Sequence, residues 1–143
     1  MILSIYTDGG SKGNPGPASV GIVFYLDKKI IHTYREDLGV ATNNEAEYMA
    51  VVRALEQIKS SFSVKVSDDK LAGEQKFNKI QFYCDSSLVV NQLNGLFKVK
   101  HPMMREYIFK IRILEQEIKI PISYTYIPRE KNTIADALVN NTY

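Results

Sequence analysis

Four acidic residues stand in sequence contexts where acids are seldom found: Asp8, Glu47, Asp85 and Asp136. Asp8 ends the apolar run from Ile2 to Thr7, and Asp85 ends the run from Lys79 to Cys84. Glu47 projects onto the apolar side of a helical pattern, near Ala50, Val51 and Ala54, and Asp136 lies between Ala135 and Ala137. Acids rarely stay buried unless paired or metal-bound. Four of them converging would repel one another strongly, and divalent cations are the usual remedy. Oxygen-only ligands suit Mg²⁺ or Mn²⁺. One Cys and two widely separated His argue against zinc. Two hard cations about 3.5–4 Å apart form the clamp used for in-line displacement at phosphorus. Taken singly, each acid has an ordinary reading. An Asp at a strand end is usually a turn or capping residue, Asp85-Ser86-Ser87 suits a helix cap, and acids in a first helical turn favour the helix dipole. Glu45 takes that ordinary reading and is expected to face water. The functional weight falls on the four together.

The elements that must position these acids follow from the spacing of apolar residues. Ile2 to Thr7 reads as a strand, and Gly9 to Pro17 is dense enough in turn formers to read as a loop. Val20 to Leu26 and Ile30 to Asp37, joined by Asp27-Lys28-Lys29, extend this into an antiparallel meander. From Asn44 to Lys59 the residues Tyr48, Val51, Val52, Leu55 and Ile58 recur at helical spacing. Thr42 and Glu45 form a capping box at the start of that helix. Ser60 to Asn78 reads as a long surface connection, with room for a hairpin around Phe62 to Val66. Lys79 to Cys84 is a strand, Ser86 to Asn94 a short helix, and Pro102 to Ile118 a longer one with Met103, Tyr107, Ile111, Leu114 and Ile118 on its stripe. Ile122 to Ile127 alternates as a strand, and a last helix runs from Asn132 or Thr133 to about Asn140. The order βββ-α-β-α-α-β-α predicts an α/β fold. Its five-stranded mixed sheet has three antiparallel strands, then two parallel strands reached by right-handed crossovers, with helices on both faces. Sites in such sheets lie off the carboxyl ends of the parallel strands, where Asp8 and Asp85 are expected.

Length and composition bound the rest. The 143 residues fit one domain, with an apolar fraction of 45% and a charged fraction of 24%. Collagen-like, coiled-coil and disordered chains are excluded, and no apolar run approaches the ~18 residues that span a bilayer. The opening Met1 to Ile5 lacks the basic stretch of a secretory signal. A single cysteine makes no internal disulfide, so a reducing, cytoplasmic setting is expected, as is a monomer. Cys84 reads as a buried strand residue. The net charge is only +2, so attraction for a nucleic acid must come from a local patch.

Thr7-Asp8-Gly9-Gly10-Ser11-Lys12-Gly13-Asn14-Pro15-Gly16-Pro17-Ala18 resembles the opening motif of type 1 ribonuclease H. Thr42-Asn43-Asn44-Glu45-Ala46-Glu47-Tyr48 resembles that family's T-N-N-x-x-E element, Cys84-Asp85-Ser86-Ser87 its strand-terminal D-S, and Asn132-Thr133-Ile134-Ala135-Asp136-Ala137-Leu138 its closing N-x-x-A-D-x-L. The four motifs occur in the family's order over nearly the whole chain. The resemblance implies a ribonuclease H-like catalytic domain over residues 1–143. It implies an endonuclease that cuts the RNA strand of RNA–DNA hybrids with two Mg²⁺ or Mn²⁺ ions, leaving 5′-phosphate and 3′-hydroxyl ends. It implies Asp8, Glu47, Asp85 and Asp136 as metal ligands. Asp8 would bridge both ions, Asp136 would hold the ion that activates water, and Glu47 with Asp85 the ion at the leaving oxygen. It also implies that Asn43 and Asn44 read the hybrid's minor groove, where an amide meets both the donor and the acceptor of a 2′-hydroxyl. Thr42 would grip a DNA phosphate. Gly9 and Gly10, with Ser11 and Asn14 beside them, would let the RNA backbone approach closely.

The departures are informative. The family's histidine in the loop before the last acid is missing from Pro128-Arg129-Glu130-Lys131. This resembles the archaeal and bacterial branch that lacks that loop. Arg129 has two readings, a contact to the scissile phosphate and a solvated arginine before a helix. The family's basic protrusion is replaced by the compact Asn94 to His101, where Lys98 and Lys100, with Arg105, are placed to reach phosphates. Phe97 packs either on a DNA sugar or in the core. Without an appended hybrid-binding module, weaker and salt-sensitive binding is expected. Cleavage of duplex RNA is a second activity that the motifs do not separate from the first. A catalytically degenerate binding module of the same fold would have lost at least one acid, and all four are present. A proofreading-type exonuclease would carry D-x-E where this chain has Asp8-Gly9-Gly10.

Overall fold

The computed structural model describes residues 1–61 and 77–143; the hairpin expected around 62–66 lies outside them. In chain order the elements are β1 (Ile2–Ser11), β2 (Gly16–Leu26), β3 (Lys29–Ala41), α1 (Asn43–Ser61), β4 (Lys79–Cys84), α2 (Ser87–Leu93), α3 (Pro102–Ile118), β5 (Ile122–Tyr126), a 3-10 turn at Arg129–Lys131, and α4 (Thr133–Val139). The strands form one sheet in the order β3-β2-β1-β4-β5. β1–β2 and β2–β3 are antiparallel, and β1–β4 and β4–β5 are parallel, as the sequence predicts.

The main core lies on one face of the sheet. Tyr48, Val51, Val52, Leu55 and Ile58 of α1 are all buried, and they pack with Ile5, Phe24 and Phe82. On α3 the buried stripe is Met104, Ile111, Leu114 and Ile118. Met104 opens it rather than Met103, because Met104 lies two turns, seven residues, before Ile111 on the same face and Met103 falls to the side, exposed. α4 covers part of the opposite face, with Ala135 and Leu138 against Val23. Helices therefore flank both faces, unequally. Among the described residues, no helix is long and apolar enough to cross a membrane.

The largest difference from the sequence reading concerns β1 and the turn formers after it. β1 does not end at Thr7. Its parallel pairing with β4 stops at Thr7↔Cys84, but its antiparallel pairing with β2 continues to Ser11↔Ala18. Asp8 is thus inside a strand, at the point where the neighbour on one side has ended. Gly9, Gly10, Gly16 and Pro17 are strand residues, leaving only 12–15 as the turn. At Gly9 and Gly10 helices press on the sheet, whereas a Cβ at Gly16 would overlap the Lys12 carbonyl of the turn. A Cβ at Gly9 would overlap the backbone of Ala46 in α1, and one at Gly10 would sit 3.3 Å from Val139 Cγ1.

Gly21 does the same work for α4. A Cβ there would overlap Ala135 O and come within 2.8 Å of Leu138 Cβ. Backbone cannot yield as a side chain tip does, so Gly21→Ala must push α4 off the sheet. Overpacking of this kind costs about 1–3 kcal/mol. Urea unfolding of Gly21→Ala is expected to show a loss in that range. An unchanged midpoint would mean that α4 is not seated as described.

Candidate active site

The carboxylates meet where β1 runs past the end of β4. One oxygen each from Asp8, Glu47 and Asp85 lies within 4.8 Å of the other two. Asp8 comes from the central strand, held on both sides. Glu47 comes from the second turn of α1, brought close by the bare Gly9. Asp85 directly follows β4. Their neighbours do the capping. Ser86 accepts the Val89 N–H at 3.3 Å to cap α2, which frees Asp85. Thr42 Oγ1 accepts the Glu45 N–H at 3.1 Å, and Glu45 Oε1 accepts the Thr42 N–H at 2.9 Å. This is the expected capping box, and it holds Glu45 half-buried rather than free in water.

These three acids and Asp136 line a cleft of about 690 Å³, together with Arg129 and Arg35. Asp136 reaches it from α4 and stands outside the three-oxygen group. Its charge is nevertheless felt at Asp8. Burial first, then repulsion from Asp85 and Asp136, pushes the Asp8 carboxyl up to about 8, against a smaller opposing pull from Arg129. Glu47 is pushed well above the usual carboxylate range by burial, then by Asp8 and Asp85, with the Gly9 amide and Arg129 opposing. Cys84 is buried as expected, its thiol 3.9 Å from Glu47 Oε1.

A hard divalent cation fits these donors. The Asp8 Oδ1 atom is buried and has no hydrogen-bond partner. A buried carboxylate oxygen without a donor is costly, and three hard oxygens at one point are the donor set of Mg²⁺ or Mn²⁺.

The expected nucleic-acid contacts divide. Gly9, Gly10, Ser11 and Asn43 line the cleft. Asn43 is partly committed: its Oδ1 accepts the Ser11 N–H at 2.8 Å, while its own N–H donates to Asn14 Oδ1 at 2.9 Å. These bonds tie β1, the turn and α1 together, and they leave the Asn43 NH₂ as its open donor. Asn44 is exposed, without a side-chain hydrogen bond among the described residues. Thr42, Asn14, Asn44, Phe97, Lys98 and Lys100 stand outside the cleft wall. Lys98 and Lys100 are exposed. Phe97 is 49% exposed, which overturns its reading as a core residue.

Sequence reasoning missed Arg35, Lys12 and Ser19, all of which line the cleft. Arg35 Nε donates to Leu138 O at 2.7 Å, and Ser19 Oγ donates to Val139 O at 2.8 Å. Together they cap the carboxyl end of α4. Nothing in the local pattern of β2 or β3 marks these residues, because their role depends on a helix more than a hundred positions away.

The site is thus a cluster of acids at the β1–β4 junction of a mixed β3-β2-β1-β4-β5 α/β sheet, the architecture of a ribonuclease H-like fold. The family model for RNase H matches residues 2–142, and the chain belongs to that family. It is 37% identical to ribonuclease HI of Halobacterium salinarum over 139 residues, covering 94% of this chain and 61% of that one. It is 34% identical over 143 residues to the bifunctional protein of Mycobacterium tuberculosis, covering 99% of this chain but 35% of that one. The chain thus spans about a third of the mycobacterial relatives' length. Among solved structures, LC11-RNase H1 in complex with an RNA/DNA hybrid superposes with a TM-score of 0.86 at 39% identity, covering 97% of this chain and 94% of that one. RNase H1 of Halobacterium salinarum gives a TM-score of 0.84 at 36% identity, covering 99% and 97%.

The raised Asp8 carboxyl has a consequence for stability. Its ordinary value is 3.8 and its folded value about 8, so between them the fold holds a proton that the unfolded chain releases. Stability of the metal-free protein therefore falls as pH rises through that window, and this group adds nothing further above it. In chelator, the melting temperature is expected to decline over this range. Asp8→Asn is expected to flatten the decline and to hold or raise the melting temperature at pH 8. A variant that melts below the wild type at every pH would make Asp8 a structural group.

Proposed function

We propose that this chain is the catalytic unit of a ribonuclease H, hydrolysing the RNA strand of RNA–DNA hybrids with two divalent cations, Mg²⁺ or Mn²⁺, and leaving 5′-phosphate and 3′-hydroxyl ends. The observation that carries the reading is the convergence of Asp8, Glu47 and Asp85 oxygens within 4.8 Å around a buried, unpartnered Asp8 Oδ1. Membership of the RNase H family supports it, as does the likeness to an RNase H1 solved in complex with an RNA/DNA hybrid.

Asp8, Glu47, Asp85 and Asp136 would hold the cations, with Asp8 shared between them. Bound there, the cations supply Lewis-acid stabilisation of charge on the phosphate and favour ionisation of the attacking water. The protein's own groups do the rest. Arg129 and Arg35 on the cleft wall face the incoming phosphodiester and offset its charge. Gly9, buried under α1, and the half-buried Gly10 belong to the cleft lining. The Asn43 NH₂ offers a donor to a 2′-hydroxyl, the group that distinguishes RNA from DNA. Asn44 and the Thr42 hydroxyl flank it at the start of α1. Lys98, Lys100 and the half-exposed Phe97 extend the contact along the second strand as one element of the proposal. The intact set of acids disfavours a degenerate binding module.

The test is cleavage of an end-labelled hybrid, duplex RNA and duplex DNA with Mg²⁺, Mn²⁺ or chelator. Hybrid is expected to be cut in the RNA strand only, with no product in chelator, and duplex RNA more slowly. Cleavage of duplex DNA, or of hybrid in chelator, would overturn the reading. Asp8→Asn is expected to abolish cleavage, a loss of at least about 10³-fold, in line with removal of a group that stabilises transition-state charge. Arg129→Ala is expected to slow turnover less than any acid substitution. An unchanged rate would return Arg129 to a solvated surface residue.

A further inference from the structure

Asn132 occupies the N-cap position of α4 but does not cap it. Its side chain makes no capping hydrogen bond. Asparagine is among the residues best suited to that task, and Ser86, in the same position on α2, performs it. The Asn132 side chain is instead turned inward, with the residue only 1% exposed. Its Nδ2 donates to Thr7 O at 2.8 Å and to Asp85 Oδ2 at 3.2 Å. Both partners are acceptors, which fixes the amide with nitrogen toward them. The Oδ1 end is buried and has no partner. The residue thus forgoes its cap and leaves an acceptor unsatisfied, both unfavourable, in order to keep these two bonds.

The two acceptors explain the arrangement. Thr7 immediately precedes Asp8 within β1, and Asp85 follows β4, so one amide links β1 beside Asp8 to the end of β4 that carries Asp85. Asn132 itself lies between Arg129 in the 3-10 turn and Asp136 in α4. Those two residues, Asp8 and Asp85 all line the same cleft. Asp85 is only half-buried and follows its strand without further sheet pairing on β1. Of its two oxygens, Oδ2 is the one the Asn132 amide grips.

We propose that Asn132 is a positioning residue. By holding Asp85 Oδ2 and Thr7 O with one NH₂ group, it fixes the orientation in which Asp85 presents its carboxylate to a divalent cation shared with Asp8 and Glu47. It touches neither substrate nor cation. The proposal rests on the reading of the carboxylate cluster as a cation site. Hydrogen-bond partners of metal-ligating carboxylates typically change metal affinity or activity by about 10–100-fold when removed.

The experiment is a calorimetric Mn²⁺ titration of the wild type, Asn132→Ser and Asn132→Ala. Serine has one hydroxyl proton and serves one acceptor; alanine serves none. Both variants are expected to bind Mn²⁺ about tenfold or more weakly. They should also gain less in melting temperature on adding Mn²⁺. KM for hybrid should stay within about twofold, while kcat at low Mn²⁺ falls and recovers as Mn²⁺ is raised, the signature of weakened ligand placement. A purely structural residue would lower the melting temperature in chelator without moving Mn²⁺ affinity. That result, in whichever variant folds, overturns the proposal. Should Asn132→Ala fail to fold, Asn132→Ser carries the titration. Wild-type protein that takes up no Mn²⁺ would instead refute the cation site itself, separating the two failures.

Discussion

A carboxylate held inside a protein with a bare oxygen and two other carboxylates beside it is an unfavourable arrangement, and the rest of this fold makes it persist. Asp8 is 1% exposed, one of its oxygens is unpartnered, and Glu47 and Asp85 crowd it within shared-ligand distance. Left free, such groups would separate, protonate or draw in water. They cannot separate because each is carried by an element that cannot move alone. Asp8 sits on the central strand, Glu47 on a helix whose apolar face is wholly consumed by the core, and Asp85 at the end of a strand paired on both sides. The apolar core supplies the restraint, and the acids spend part of it.

The restraint is applied at specific joints. The bare Gly9 lets α1 settle onto β1, which sets the distance from Asp8 to Glu47. Asn14 and Asn43 then lock the turn against the start of α1 through bonds of 2.9 and 2.8 Å. On the other face α4 has seven residues and a small apolar contact, too little to hold Asp136 by burial alone. Polar clamps make up the difference. Asn132 ties the helix start to β1 and Asp85, and Arg35 and Ser19 take its last carbonyls. Asp136 is therefore positioned chiefly by hydrogen bonds, and Glu47 chiefly by packing.

This division explains what could be read from the sequence and what could not. α1 was legible because its apolar spacing is regular and its capping box is local. The mixed sheet, three antiparallel strands and then two parallel ones, followed from short turns in the first third and helical crossovers after it. The acids stood out because their contexts were wrong for acids. The continuation of β1 through Gly9 and Gly10 was not legible. Glycine signals a turn on local grounds, and here it is demanded by a helix backbone lying over the strand. Arg35 and Ser19 were invisible for the same reason, since they answer carbonyls at the far end of the chain. Asn132 was read as a helix start, the ordinary use of asparagine in that place, and its actual bonds reach across 125 and 47 positions. Of the two readings of Phe97, its 49% exposure removes core packing, which local sequence could not decide.

On the proposed function, the same electrostatics couple cation and substrate. Acids that ionise in the cleft repel a phosphodiester, and beside the exposed Lys12 its two arginines are partly spent within the protein. Arg35 is bonded to Leu138 O and paired with Asp37, while Arg129 is set against Asp8 and Glu47. The chain's net charge of +2 adds little attraction at long range. On that proposal a nucleic-acid strand would settle into the cleft more readily once cations neutralise the acids. Bound phosphate would in turn offer oxygen ligands to cations held by Asp8, Glu47 and Asp85. Cation and strand would then each lower the cost of binding the other, and reciprocity requires each to strengthen the other's hold by the same factor.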